Sequence, residues 1–131
     1  MESNTPVASG SKAMLWTGRV ISALPVLGLL MSGVMKFTNS PQLTEGMAKL
    51  GWPANLAIPL GITELACTIL YIIPQTSVLG AILLTGYLGG ATATHVRIGD
   101  NFVAPIIMGV LVWLGLFLRD ARLRALLPLR R

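Results

Sequence analysis

One carboxylate, Glu64, and one imidazole, His95, are the residues of this chain whose type and setting best suit chemistry. Glu64 stands inside a long apolar run, Leu60-Gly-Ile-Thr-Glu64-Leu-Ala. A carboxyl group near the centre of a bilayer costs at least ~2.5 kcal/mol on insertion scales, so it normally faces a bundle interior and has a partner. Gly61, Thr68 and Tyr71 share its helical face and make a narrow polar stripe. A carboxyl group so placed suits a proton carrier, a general acid or base, or a ligand contact. The structural alternative is a glutamic acid hydrogen-bonded to a neighbouring helix as glue. His95 shares a face with Leu88, Thr92 and Thr85, and Lys36, Arg97 and Asp100 fall at its predicted depth. Together they suggest a polar cluster at one membrane face, against the plainer reading of an interface histidine bonded to a carbonyl. Arg97 and Asp100 are expected to pair across a short loop that Gly99 allows to turn. Tyr87 and Trp113 are candidates to line a cavity for a flat lipophilic ligand, unless they serve packing alone. A lone histidine and scattered carboxylates lack metal-ligand spacing, so no metal is expected. The single cysteine, Cys67, lies in an apolar run and offers no disulfide.

The elements that must position these residues follow from composition. Of 131 residues, 53% are hydrophobic and 11% charged, with a mean hydropathy of +0.72. A soluble domain carries roughly a quarter of its residues as charges. Here the uncharged stretches approach or exceed the ~17 residues that a membrane-crossing helix needs. The expectation is an all-α, four-helix transmembrane bundle with spans near Trp16–Met35, Ala54–Ile73, Val78–Val96 and Phe102–Leu118. Lys12 and Arg19 could also form the basic region of a signal peptide. No small-residue cleavage site follows, and three further spans favour a signal-anchor.

Between the first two spans, Ser40 suits an N-cap, Pro41 a first helical position and Gly51 a C-terminal stop. Leu43, Met47 and Leu50 recur at helical spacing opposite Gln42, Glu45 and Lys49. That pattern predicts a short amphipathic helix in the interface, anchored by Trp52. Pro25 should kink the first span or free a carbonyl. Gly86 and Gly90 form a small-xxx-small pair that would let another helix approach closely.

Residues 1–13 read as a disordered tail, 14–120 as the membrane domain and 121–131 as a basic tail. Lys12, Arg19, Arg119, Arg122, Arg124, Arg130 and Arg131 fall on one side of a four-span arrangement, against Lys36, Lys49 and Arg97 on the other. The positive-inside rule then puts both termini in the cytoplasm of a multi-pass inner-membrane protein. The C-terminal arginines read as an orientation signal and a contact for lipid headgroups, not as a nucleic-acid surface. A soluble redox partner docking on that tail stays open.

Antiparallel spans folded about a turn near residues 75 and 76 bring Glu64 level with Tyr87. His95 then stands about eight residues further out, or ~12 Å. A cavity with His95 at its mouth, Thr92 beside it and Glu64 at its floor fits that spacing better than direct contact.

Several short motifs run in a specific order. They are Gly33-Val-Met-Lys36-Phe37, Met47-Ala-Lys-Leu-Gly-Trp-Pro53, Leu60-Gly-Ile-Thr-Glu64-Leu and Ile73-Pro74-Gln-Thr. Leu79-Gly-Ala-Ile-Leu-Leu-Thr-Gly-Tyr-Leu-Gly-Gly-Ala and Ala93-Thr-His95-Val-Arg97-Ile-Gly-Asp100 follow them. Together they resemble the DoxX-like family of small four-helix bacterial membrane proteins, over nearly the whole chain after residue 14. The resemblance implies a four-helix bundle and marks Lys36, Glu64, His95, Arg97 and Asp100 as positions of interest. Some relatives are associated with quinone-linked sulfur oxidation or redox-stress complexes, so a quinone or a partner subunit would supply any redox role. Four readings stay open. They are a membrane subunit or enzyme acting on a small lipophilic molecule, a proton-coupled transporter working as a homodimer, a non-redox isomerase or cyclase, and a scaffold.

Overall fold

The computed structural model describes residues 12–38 and 40–127, and every regular element among them is helical. Four longer helices, α1 (Lys12–Met35), α3 (Ala57–Ile72), α4 (Ser77–Arg97) and α5 (Val103–Arg119), form a bundle. Helix α1 packs on α3 and α5, and α4 packs on the same two, so the four stand in a ring. The short helices α2 (Pro41–Leu50) and α6 (Ala121–Leu126) sit at opposite ends. At 1.5 Å per residue α1 is about 36 Å long and α4 about 32 Å. Among the described residues, Lys12–Met35 and Pro74–Arg97 are long and apolar enough to cross a bilayer; α3 and α5 are apolar but shorter.

Local chemistry explains the boundaries. Ser40 Oγ accepts the Leu43 amide at 3.2 Å, Pro41 opens α2, and Gly51 closes it at φ 82°. The positive φ is what glycine tolerates there. Two short 3₁₀ turns, Ala54–Leu56 and Pro74–Thr76, lead into α3 and α4. Pro25 is buried and lies within an unbroken α1, and Pro105 sits in the first turn of α5, where its missing amide costs no helical bond. Helix α1 already includes Lys12 and Ala13, so the expected tail reaches into it; residues 1–11 lie outside those described. The expected C-terminal tail likewise begins as helix α6, capped by Asp120 accepting the Arg122 and Leu123 amides. Residues 128–131 lie outside those described.

A few polar side chains lie inside the bundle while large apolar ones face out. Ser22, Glu64, Thr68 and Ser77 are buried, while Leu24, Leu27, Ile62, Ile82, Ile106 and Val110 are exposed. Exposed apolar side chains on all four longer helices make a surface suited to lipid.

Packing is uneven along the bundle axis. Toward the α6 end, Gly80 lies against the backbone of Leu70 and Tyr71, and Gly115 against Ser22. Leu29, Cys67, Tyr71, Ala81, Leu84, Val112 and Leu116 fill the space between. Toward the α2 end α1 and α3 stay close, but α4 has open space beside it. An added Cβ at Gly86 or Gly90 would meet nothing within 4 Å. Within the chain no helix comes close at that pair; the close approaches fall at Gly80 and Gly115, with Gly33 and Gly61 between α1 and α3.

Candidate functional site

Glu64 is 1% exposed and forms an ion pair with Lys36, Nζ to Oε1 at 2.7 Å. Lys36 follows directly on the end of α1, yet its side chain runs back into the bundle. Gly61, one turn before Glu64, makes this possible: a Cβ there would stand 3.0 Å from that of Lys36 and 3.1 Å from the Gly33 carbonyl. With no side chain in the way, the lysine stem lies along α3 and delivers its ammonium to the carboxylate. Ser32 Oγ accepts a second Lys36 hydrogen at 2.9 Å. The Tyr87 hydroxyl donates to the same Oε1 at 2.9 Å. Among the described residues, no donor reaches Oε2 of Glu64. A buried carboxylate oxygen without a donor costs free energy that a ligand or water can recover.

These residues form the floor of a cavity of about 650 Å³. Its walls are mainly apolar: Gly28 and Leu29 of α1, Leu60 of α3, Gly86, Leu88, Gly90 and Ala91 of α4, and Pro105 and Met108 of α5. Met47, Leu50 and Trp52 cover it from the α2 side. Such a volume falls within the range of sites for small organic ligands, roughly 300–1,000 Å³. A second pocket of about 390 Å³ shares Ser32, Lys36, Met47, Leu50 and His95 with it and reaches Lys49 and Asp100.

His95 therefore borders both spaces. Its Nδ1 lies 2.7 Å from the Ala91 carbonyl, which can only accept, so Nδ1 carries the hydrogen. In the neutral ring Nε2 is then the free acceptor. Arg97 and Asp100 do not pair as expected. An Arg97 terminal nitrogen donates to the Leu50 carbonyl at the end of α2, and Asp100 faces Lys49 at 3.4 Å. Both contacts hold α2 against the bundle end, because the turn at Gly99 (φ 72°) directs the two side chains toward α2 and not toward each other. The Asn101 amide, and then Lys49, hold the Asp100 carboxyl below its ordinary range.

Lys36, Glu64, Tyr87 and His95 thus come together around one cavity, with Asp100 in the adjoining pocket. Thr92 and Trp113 lie outside that lining. Thr92 Oγ1 donates to the Leu88 carbonyl, and the Trp113 indole donates to Thr85 Oγ1 at 2.6 Å between α4 and α5. Thr94, two residues on, borders the cavity in the place expected of Thr92. Sequence reasoning missed Ser32 and Met47; the four-residue spacing of Ser32 and Lys36 was the available signal for the first.

The sequence profile of the DoxX-like family matches residues 20–116. The chain belongs to the DoxX-like family. Residues 20–116 take in α2, α3 and α4 entire and most of α1 and α5, so the cavity lies within the matched region. Among curated proteins and among solved structures, none matches the chain. Family membership and the exposed apolar helices make this DoxX-like chain a membrane protein in contact with lipid.

Proposed function

We propose that this DoxX-like protein binds a small lipophilic molecule with an oxygen-bearing head, a quinone or quinol, in the cavity above Glu64. The observation that carries the reading is a buried carboxylate with one oxygen paired to Lys36 and Tyr87 and the other without a donor among the described residues, at the end of an otherwise apolar chamber. The donor set fits a quinone head. Lys36 keeps one hydrogen beyond those given to Glu64 and Ser32 and can donate it to a carbonyl oxygen. Glu64 Oε2 and His95 Nε2 can each accept from a hydroxyl. The apolar walls suit a ring and its tail and keep bulk water from the pair. A quinone bound there would supply two-electron redox chemistry. The protein's own part is to orient the head group, to hold or release a proton at Glu64, and to pass it toward His95.

In the same reading all four longer helices span the inner membrane, with both termini in the cytoplasm and α2 at the outer face. Proton exchange at Glu64 then opens outward, because Leu29, Cys67, Leu84, Val112 and Leu116 fill the bundle on the other side. That packed half weighs against a through-going transporter, which would need a route past it. Residues in a dry acid–base enzyme would occupy the same positions, and turnover without an electron acceptor would favour that alternative.

The experiment compares small molecules co-purifying with wild type, Glu64→Gln and Gly90→Leu in gentle detergent by untargeted mass spectrometry. Gly90→Leu projects into open cavity space and leaves the charge pair intact. A quinone retained by wild type and lost in both variants supports the reading; equal recovery from all three overturns it. For topology, single cysteines at Lys49 and Arg122 in a Cys67→Ala background should label from outside and inside the cell respectively. The reverse pattern would invert the orientation.

A further inference from the structure

A second polar construction lies at the α6 end, far from Glu64. Its centre is Arg119, the last residue of α5. Arg119 Nε donates to Ser22 Oγ at 3.1 Å and to the Gly115 carbonyl at 3.3 Å. Ser22 Oγ and the Tyr71 hydroxyl are 2.8 Å apart, and the Tyr71 hydroxyl lies 2.7 Å from the Val112 carbonyl. The carbonyl only accepts, so Tyr71 donates to it and Ser22 donates to Tyr71. Every hydrogen in this chain is accounted for, and each points away from the guanidinium. The Arg119 Cζ also stands 5.3 Å from the Tyr71 ring centre, and Gly18 leaves room for its stem between α1 and α5.

So much fixing of one cation is unusual for a residue whose terminal nitrogens have no acceptor among the described residues. A pocket of about 340 Å³ adjoins it, lined also by Ser77, Asp120 and Arg122. Asp120 Oδ1 already caps α6 and lies 3.6 Å from Arg122 Nε, so the carboxylate in this lining is committed and does not pair with Arg119. The site stands where the apolar helix α5 ends, which is the depth of lipid phosphates in the reading that all four longer helices span the membrane.

We propose that Arg119 and Arg122 form a specific site for the phosphate of an anionic membrane lipid, with Arg119 presenting its rigid fork and Arg122 adding charge from the rim. An oriented guanidinium matches phosphate oxygens in pairs, which a mobile lysine cannot do. The lipid is argued over a soluble anion because the pocket borders Leu116 and Pro74, which acyl chains can cover. This site is independent of the cavity above Glu64.

The test is native mass spectrometry of the purified full chain with phosphatidylglycerol or phosphatidylcholine, each with and without added glycerol phosphate. Wild type should retain phosphatidylglycerol over phosphatidylcholine. Arg122→Gln removes a side chain that is 89% exposed, so folding is not at risk, and retention should fall about 5-fold. Arg119→Ala should fall further, and Lys49→Gln, a cation at the opposite end, should match wild type. Equal retention of the two lipids, or unchanged retention in Arg122→Gln, overturns the proposal. Displacement of the lipid by millimolar glycerol phosphate would make it a soluble-anion site and overturn the lipid assignment.

Discussion

Removing one member of the Lys36–Glu64 pair should destabilise the bundle by an amount set by how deeply the other member is buried. Lys36→Met strands Glu64, which is 1% exposed and keeps Tyr87 as its one donor among the described residues. Breaking a buried pair from one side costs about 3–5 kcal/mol. Glu64→Gln leaves Lys36, which is 16% exposed, still bonded to Ser32 and bordering the α2-side pocket. Its flexible stem can carry the ammonium toward water, so the loss should be nearer about 1.5–3 kcal/mol, the worth of a charge-assisted bond. Replacing both partners together, Lys36→Met with Glu64→Leu, removes both desolvated charges and should return stability to within about 1 kcal/mol of wild type. The assay is sodium dodecyl sulfate titration in mixed micelles, followed by tryptophan fluorescence and circular dichroism. The protein is first stripped of bound small molecules so that ligand linkage does not contribute. Additive effects of the two substitutions within about 0.5 kcal/mol would show that the side chains do not interact. A larger loss from Glu64→Gln than from Lys36→Met would refute the burial argument.

Three further outcomes are expected. Gly80→Ala places a methyl group against the Leu70–Tyr71 backbone, which cannot yield, and should cost about 1–3 kcal/mol, whereas Gly86→Ala, in open space, should not destabilise the fold in the same titration. The Lys49–Asp100 contact should make the docking of α2 pH-dependent. Because the folded pKa of Asp100 is lowered, its contribution is whole above the ordinary carboxylate value of about 4 and is lost as pH falls through the lowered value. Protection of α2 amides, that is exchange corrected for its intrinsic pH dependence, should therefore hold steady from neutral pH to about 4 and fall below it, and Asp100→Asn should abolish that dependence. Arg97→Ala removes the donor to the Leu50 carbonyl and should speed α2 exchange at every pH, an effect absent from Arg122→Ala.

Much of the fold was legible because it rests on local chemistry. Ser40, Pro41 and Gly51 mark the ends of α2 by side-chain capping, a preset φ and a positive φ, none of which needs distant residues. The level of Glu64 with Tyr87 followed from the turn near residues 75 and 76, since two antiparallel helices have the same rise per residue. Lys36 was harder to place. By sequence it belongs at the depth of His95, but a lysine reaches several ångströms from its Cα, and the direction of that reach depends on the neighbour. Gly61 decides it, and a glycine one turn from a buried carboxylate was the only hint. Thr92 and Trp113 were misplaced for a related reason. Each residue turns a side chain by about 100° about the helix axis, so Thr94, two residues on, faces the cavity and Thr92 does not.

The sequence by itself determined the helices, the apolar surface and the presence of a carboxylate that needs a partner, because hydropathy and capping are properties of short segments. The tertiary structure alone decided that Glu64 pairs with Lys36, that Asp100 faces Lys49, and that Gly86 and Gly90 border a cavity. Those facts depend on how closely particular helices approach at particular glycines. Helix separation is a balance over the whole bundle, and no segment carries it alone.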